Sequence, residues 1–92
     1  MDIDRLIHEP ARLSLMANLY VVEEADFVYL ARQCGLTAGN VSSHMSRLDD
    51  AGYVETTKTF VGKRPRTTYR LSKEGRAAFE GYRDQVTQLL KQ

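Results

Sequence analysis

Residues 26–52, DFVYLARQCGLTAGNVSSHMSRLDDAG, decide the fold of this 92-residue chain, because they hold two helices and the residues that delimit them. Asp26 is a natural N-cap, so we expect a helix over residues 27–34. Gly35 follows directly, in the place where a helix ends on a left-handed residue. The first part of the stretch therefore predicts one short helix with a defined start and end.

The second part of the same stretch predicts a longer helix. Thr37 is another N-cap candidate, and Gly52 stands just beyond a helix that runs to about Ala51. Its apolar residues share one face at helical spacing: Val41, Met45 and Leu48. Two helices joined by a short turn with a glycine form a helix-turn-helix, here over residues 27–51.

The flanking segments add a helix before this unit and a hairpin after it. Pro10 favours the start of a first helix, where its missing N–H costs nothing. The pattern then becomes strand-like in residues 53–60 and 66–71, which we expect to pair around a turn at residues 61–65. Ser72 is the N-cap candidate of a last helix.

This order of elements predicts an α+β fold that is mostly α. The chain is short enough to be one domain over residues 1–92. We expect a winged helix-turn-helix: a three-helix core, a two-stranded β wing over residues 53–71, and a C-terminal dimerisation helix over residues 73–91.

The composition excludes several classes of protein. A net charge of +1 and a hydrophobic content of 42% argue against a general polycation and against disorder. The single cysteine excludes an intrachain disulfide and every zinc site that needs several cysteines. No apolar stretch approaches the roughly 18 residues of a membrane span. The N-terminal sequence MDIDRLIHEP does not resemble a signal peptide, so we expect a cytoplasmic protein without membrane contact.

The charge is distributed unevenly along the chain. Residues 1–36 sum to −3, residues 37–71 to +3 and residues 72–92 to +1. The positive block contains the second helix of the helix-turn-helix and the wing. The near-neutral total therefore conceals a local basic surface, which is typical of nucleic-acid binding.

The outward face of the helix that follows Thr37 carries small and hydrogen-bonding side chains: Gly39, Asn40, Ser42, Ser43, Ser46 and Arg47. Small residues allow close approach to a major groove, asparagine pairs with adenine, and arginine pairs with guanine or phosphate. The alternative is an ordinary solvated face. Glutamate, lysine and glutamine usually fill such a face and are absent between Thr37 and Leu48, so we favour DNA binding.

The hairpin supplies a second argument. Lys58, Lys63, Arg64 and Arg66 surround its turn, with no acid nearby in the sequence. Such a basic hairpin suits contact with a phosphate backbone or a minor groove. The alternative is a charged edge that prevents strand-to-strand aggregation. Next to the helix described above, DNA contact is the better interpretation.

The run LARQCGLTAGNVSSHMSRLDDAGYVETTKTFVGKRPRTTYRLSKEG resembles the winged helix-turn-helix of small stand-alone regulators of the MarR/ArsR type. The resemblance covers about residues 7–88 and is most specific in GLTAGNVSSHMSRLDDAGYVE and FVGKRPRTTYRLSKEGR. It implies a homodimer that binds operator sequences in double-stranded DNA, usually as a repressor. By position it implies groove contacts from Thr37, Asn40, Ser42, Ser43, His44 and Arg47, and backbone contacts from Lys63, Arg64 and Arg66.

The terminal helices match the dimerisation elements of that family. Phe79, Tyr82, Val86 and Leu89 recur at heptad-like spacing along the last helix. They can equally form plain intrachain core. Both ends together offer more apolar surface than a minimal winged helix needs, so we predict a dimer interface of Ile3, Leu6, Ile7, Leu13, Phe79, Tyr82, Val86, Leu89 and Leu90.

No pattern in the sequence indicates an enzyme, a cofactor or a metal. It lacks a glycine-rich phosphate loop, His-Glu-x-x-His and Gly-x-Ser-x-Gly. The paired cysteines of metal-sensing ArsR-type proteins are missing, and His8 with His44 does not make a zinc set. For Cys34 we prefer a half-buried core position over a redox sensor.

Two further expectations remain from the sequence. Glu9 precedes Pro10 where a short polar residue is the better cap, so the first helix is expected to begin weakly. The rival function is a winged-helix module for protein–protein interaction, because fold alone does not fix function. It would require an apolar outward face on the second helix of the helix-turn-helix. No feature of the sequence identifies a small-molecule effector.

Overall fold

The computed structural model describes residues 2–91 as four helices and three strands. These are α1 (Pro10–Val22), β1 (Glu24–Asp26), α2 (Phe27–Cys34), α3 (Ala38–Asp50), β2 (Val54–Val61), β3 (Arg64–Leu71) and α4 (Lys73–Leu90). The mostly helical α+β fold and the winged helix-turn-helix are confirmed. The sheet has three strands where two were predicted.

The predicted N-cap residues form capping hydrogen bonds at the predicted positions. The side chain of Asp26 accepts the backbone N–H of Tyr29 at 2.8 Å, and that of Thr37 accepts the N–H of Asn40 at 3.2 Å. Gly35 closes α2 at φ 62°, the left-handed conformation that glycine adopts without steric cost. These contacts set the boundaries of the helix-turn-helix.

The expectation of a weak start for α1 was wrong. Glu9 reaches far enough for its Oε1 to accept the N–H of Arg12 at 2.8 Å. This backbone hydrogen bond is the main reason that the pKa of Glu9 lies below its usual value. A longer side chain thus satisfies the same free N–H that a shorter one would reach.

The sheet is antiparallel, in the order β1-β3-β2. Strand β1 has only three residues, so it shows no periodicity that sequence reasoning can detect. In β3, Tyr69 pairs with Ala25 of β1 on one side and with Thr56 of β2 on the other. Strand β3 is therefore the central strand, and the end of the wing next to the core is paired on both sides.

The wing is longer and its turn tighter than predicted. Val61 pairs with Arg64, which leaves Gly62 and Lys63 as a two-residue turn with Gly62 at φ 65°. Pro65 lies inside β3, opposite Phe60. In a two-residue hairpin the pair next to the closing one makes no inter-strand N–H bond, so proline removes nothing from the ladder.

The core joins the first three helices to the sheet. Its fully buried side chains include Leu15 of α1, Leu30 of α2 and Leu48 of α3. Helix α4 packs against the start of the wing at Gly75, where a β-carbon would overlap the carbonyl oxygen of Tyr53. Only glycine permits this approach, so the position of α4 against the wing depends on it.

Candidate nucleic-acid interface

Helix α3 separates its side chains as the sequence predicts. Val41, Met45 and Leu48 are buried. The opposite face is exposed and consists of Gly39, Asn40, Ser42, Ser43, Ser46 and Arg47, with Thr37 exposed at the N-cap. The free N–H groups at this helix start and the small side chains after them therefore share one accessible surface, which we call the recognition face.

Gly39 has no structural role that the fold explains. It is exposed in the first turn of α3, and an added methyl group would meet no atom of residues 2–91 within 4 Å. Glycine in a helix costs about 1 kcal/mol relative to alanine. The missing side chain leaves room for a partner to approach the first turn of α3 closely.

His44 lies beside the recognition face rather than on it, and its DNA contact stays a prediction. Its Nδ1 lies 3.2 Å from a guanidinium nitrogen of Arg12 and 4.0 Å from Oε1 of Glu9. Helical geometry turns position 44 toward the start of α1, where the side chain is 21% exposed. His44 therefore connects α3 to α1 from the inner side.

The wing residues divide between two faces of the ribbon. Side chains alternate along a strand, so Lys58 shares a face with Thr56 and Phe60, while Arg64 and Arg66 lie on the other face. Lys63 occupies the turn, and all four predicted basic residues are exposed. The wing thus carries cations on both sides and at its tip.

Two wing cations have acidic neighbours that the sequence did not reveal. The guanidinium of Arg66 lies 3.6 Å from the carboxylate of Asp26. Arg70 stands between Glu24 of β1 and Glu55 of β2 in the strand register. The interpretation of these turn cations as having no acid nearby was therefore wrong for Arg66. Lys58 pairs with Thr67 and Arg64 with Val61 in the strand register, and Lys63 lies in the turn, so these three cations form the basic tip of the wing.

A cleft of about 560 Å³ separates the recognition face from the wing. Ser42 and Ser46 border it on the helix side, and Thr56 and Lys58 on the wing side. Asp49 accepts a hydrogen bond from the Thr56 hydroxyl at 2.8 Å and so links the two walls. Sequence reasoning missed this residue, because only the strand register brings Thr56 to it.

Tyr69 forms the floor of this cleft. Burial raises the pKa of its hydroxyl, and the negative charge of Asp49 adds to the effect. The phenol therefore stays neutral and keeps its proton as a hydrogen-bond donor. No sequence pattern distinguishes Tyr69 from the other residues of the strand.

The predicted dimer interface is only partly available on the surface. Ile7, Phe79 and Tyr82 are buried at 0%, 8% and 6% exposure, so the intrachain core already contains them and the prediction is corrected for these three. Ile3, Leu6, Leu13 and Val86 are half-buried against that core. Leu89 and Leu90 are exposed at 46% and 78%.

Contacts between α1 and α4 explain this burial. The ring of Tyr20 packs on Phe79 at a centroid distance of 5.1 Å, and its hydroxyl donates to Glu80 at 2.6 Å. Arg76 stacks over the same ring at 4.6 Å. The first half of α4 therefore packs against α1 of the same chain. The exposed apolar side chains of α4 lie in its last turn, at Leu89 and Leu90.

No group of three or more potential metal ligands occurs in residues 2–91. Cys34 is half-buried, with its sulfur 3.6 Å from the amide nitrogen of Asn18, as a core position predicts. His8 contacts the hydroxyl of Tyr82 at 2.7 Å. Over the same residues no helix is long and apolar enough to cross a membrane.

Comparison with known proteins agrees with this geometry. The profile of the family described as "Winged helix DNA-binding domain" matches residues 11–90. An uncharacterized protein of Methanocaldococcus jannaschii is 33% identical over 87 residues, which are 95% of each chain. A transcriptional regulator homologue from Pyrococcus horikoshii superposes with a TM-score of 0.89 at 26% identity, over 96% of this chain and 87% of that one. A variant of MarR from E. coli, solved with operator DNA, gives a TM-score of 0.74 at 23% identity, over 97% of this chain and 69% of that one, and shows the shared fold alone.

Proposed function

The chain belongs to the winged helix DNA-binding domain family and is a DNA-binding transcriptional regulator, and we propose that it binds a specific operator as a homodimer and represses transcription there. The observation that carries the sequence-specific part is the recognition face. It presents small polar side chains and one arginine beside a cleft, with Gly39 in the first turn of α3. Because Gly39 has no side chain, a DNA groove can approach the first turn of α3 closely.

The proposed docking follows from the geometry of α3. Its first turn enters the major groove, where the free N–H groups after Thr37 face a phosphate. Asn40 pairs with an adenine edge, and Ser42 and Ser43 contact bases or phosphates without steric hindrance. Arg47 lies two turns further along and binds guanine or the backbone. Ser46, at the edge of the cleft, joins this set.

In this proposal the wing binds the DNA phosphate backbone next to the groove that α3 enters. Lys58 points into the cleft, so a strand that lies along the recognition face passes beside it. Lys63 and Arg64 at the tip neutralise phosphates beyond the groove. Arg66 takes part when DNA phosphates displace the carboxylate of Asp26, since an exposed ion pair contributes only about 0–1 kcal/mol.

The homodimer rests on the apolar surface that the fold leaves uncovered at the chain ends. Leu89 and Leu90 project from the last turns of α4, and Val86 continues the same edge inward. Ile3, Leu6 and Leu13 are partly covered and complete the proposed interface. Two recognition helices then contact half-sites about 34 Å apart, or a multiple of that distance. A repressor of this kind acts by occupying the promoter, in the cytoplasm where the DNA lies.

Selection of bound duplexes from random DNA tests the specific part of the proposal. We expect an enriched palindromic sequence. On that duplex, Asn40→Ala should reduce discrimination between the selected site and single-base variants. Arg64→Ala should weaken binding to all sequences and reduce the slope of log K against log salt by about 0.9 for each protomer. Lys91→Ala removes the same charge from the far end of α4 and serves as the matched control.

Several outcomes would contradict the proposal. Recovery of random sequences would exclude specific recognition, and a nonpalindromic site bound by a monomer in sedimentation equilibrium would exclude the homodimer. A reporter promoter containing the selected site should lose expression when the protein is present; increased expression would indicate an activator. Absence of any shift with duplex DNA at low salt and micromolar protein would favour the protein–protein interaction module.

A further inference from the structure

The tip of the wing carries an exposed aromatic side chain that does not belong to the hydrophobic core formed by the described residues 2–91. Phe60 is 72% exposed, and every residue from 57 to 66 is exposed with it. The two eight-residue strands and the two-residue turn make a narrow ribbon that extends beyond the core. An aromatic ring in this place gains nothing from folding, since it stays in water.

The surroundings of Phe60 indicate what would cover it. Residues 56–67 contain four basic and no acidic groups, so the tip is complementary to a polyanion. Its strand partner Pro65 is also apolar. Phenylalanine and proline are among the side chains that proteins insert between base pairs from the minor groove.

The register also sets the direction in which Phe60 points. It lies on the face of β2 that carries Thr56 and Lys58, and those two residues line the cleft beside Ser42 and Ser46 of α3. Alternation along the strand therefore turns Phe60 toward the side of the recognition face. Val61, exposed at 59%, points to the opposite side and does not share this orientation.

We propose that Phe60 is an apolar wedge that enters the minor groove next to the site of the recognition helix and partly unstacks one base step. The proposal rests on the DNA binding proposed above and adds a positioning contact to it. Lys63 and Arg64 bind the phosphates on either side of the groove, and the ring of Phe60 contacts the base step between them. Because pyrimidine–purine steps unstack most easily, the wedge favours a TA or CA step at this position.

The experiment uses the full chain and the most enriched duplex from the random-DNA selection. 2-Aminopurine is placed in turn at each step that flanks the recognition sequence, because its fluorescence rises when a base loses its stacking partner. DNA bending is measured in parallel by energy transfer between the duplex ends. Three proteins are compared: the wild type, Phe60→Leu, which keeps an apolar wedge, and Phe60→Thr, which matches the neighbouring Thr57 and Thr59 and preserves the strand.

The wild type and Phe60→Leu should raise the fluorescence at one flanking step in each half-site and bend the duplex by about 20–90°. Phe60→Thr should lose both signals and bind roughly tenfold more weakly for each protomer, as the loss of one stacking contact in each half-site predicts. Its salt slope should equal that of the wild type, because Phe60 carries no charge. Val21→Ala, which removes another exposed apolar side chain, is the control and should behave like the wild type.

Two results would overturn the wedge and leave the proposed function intact: equal affinity, fluorescence and bending for Phe60→Thr and the wild type, or no fluorescence change in any protein that binds tightly. A change of oligomeric state in Phe60→Thr would also overturn it, since the ring would then belong to an interface between copies. If the wild type binds no duplex, both the wedge and the specific function proposed above are wrong.

Discussion

Replacement of Gly39 by alanine separates the stability of α3 from its fit to DNA. Gly39 is the second residue of α3, and its added methyl group would meet no atom of residues 2–91 within 4 Å. The fold therefore accepts alanine without strain. We expect the added methyl group to weaken DNA binding.

The expected gain in stability follows from helix propensity alone. Alanine is favoured over glycine by about 1 kcal/mol inside a helix, and part of this applies in the first turn, so we expect about 0.5–1 kcal/mol. For a domain of this size that corresponds to an increase of about 2–8 °C in Tm. Denaturant unfolding followed by circular dichroism measures the same change as a higher midpoint.

The expected loss in binding comes from the contact with DNA. A methyl group forced into a packed contact costs about 1–3 kcal/mol. This converts to an affinity that is about 5- to 150-fold lower. Fluorescence anisotropy with the selected duplex at fixed salt measures it. The salt slope should not change, because no charge is removed.

Gly81→Ala is the matched control. Gly81 lies exposed in α4, and a methyl group there also meets no atom of the described chain within 4 Å. It should raise Tm to a similar extent and leave DNA binding unchanged. A Gly39→Ala protein that binds as tightly as the wild type would refute the close approach of α3 to the groove. A lower Tm for Gly39→Ala would refute the open space seen around that residue.

Three further changes test particular contacts. Gly75→Ala should lower the free energy of unfolding by about 1–3 kcal/mol, because its methyl group would overlap the carbonyl of Tyr53; a higher Tm would disprove that close approach. Asp26→Asn keeps a capping side chain but removes the carboxylate that DNA phosphates must displace from Arg66, so the selected duplex should bind up to about fivefold more tightly for each protomer at fixed salt, and an unchanged affinity would mean that Arg66 does not reach phosphate. The hydrogen bond to Asp4 raises the pKa of Tyr53 from its usual 10.0 to about 12, so its stabilising effect is complete below pH 10 and disappears between pH 10 and 12. Tyr53→Phe should lack this loss in unfolding titrations, whereas parallel pH curves for the two proteins would contradict the contact.

The sequence by itself determined the helices and their ends. The side chains of Asp26 and Thr37 accept hydrogen bonds from residues only three positions ahead, and Gly35 ends α2 through its own backbone conformation. The spacing of Val41, Met45 and Leu48 likewise needs no partner to be recognised. Interactions of such short range are contained in a few consecutive residues, so the helix-turn-helix and its exposed polar face were predictable.

Only the tertiary structure determined which side chains from separate elements come into contact. Strand register brings Arg66 to Asp26, forty positions earlier, and Thr56 to Asp49; helix packing turns His44 to Arg12 and buries Phe79 against Tyr20. These distances depend on how separate elements dock. A one-residue shift of the hairpin would turn Phe60 to the other face of the wing, and no local pattern in the sequence excludes that shift.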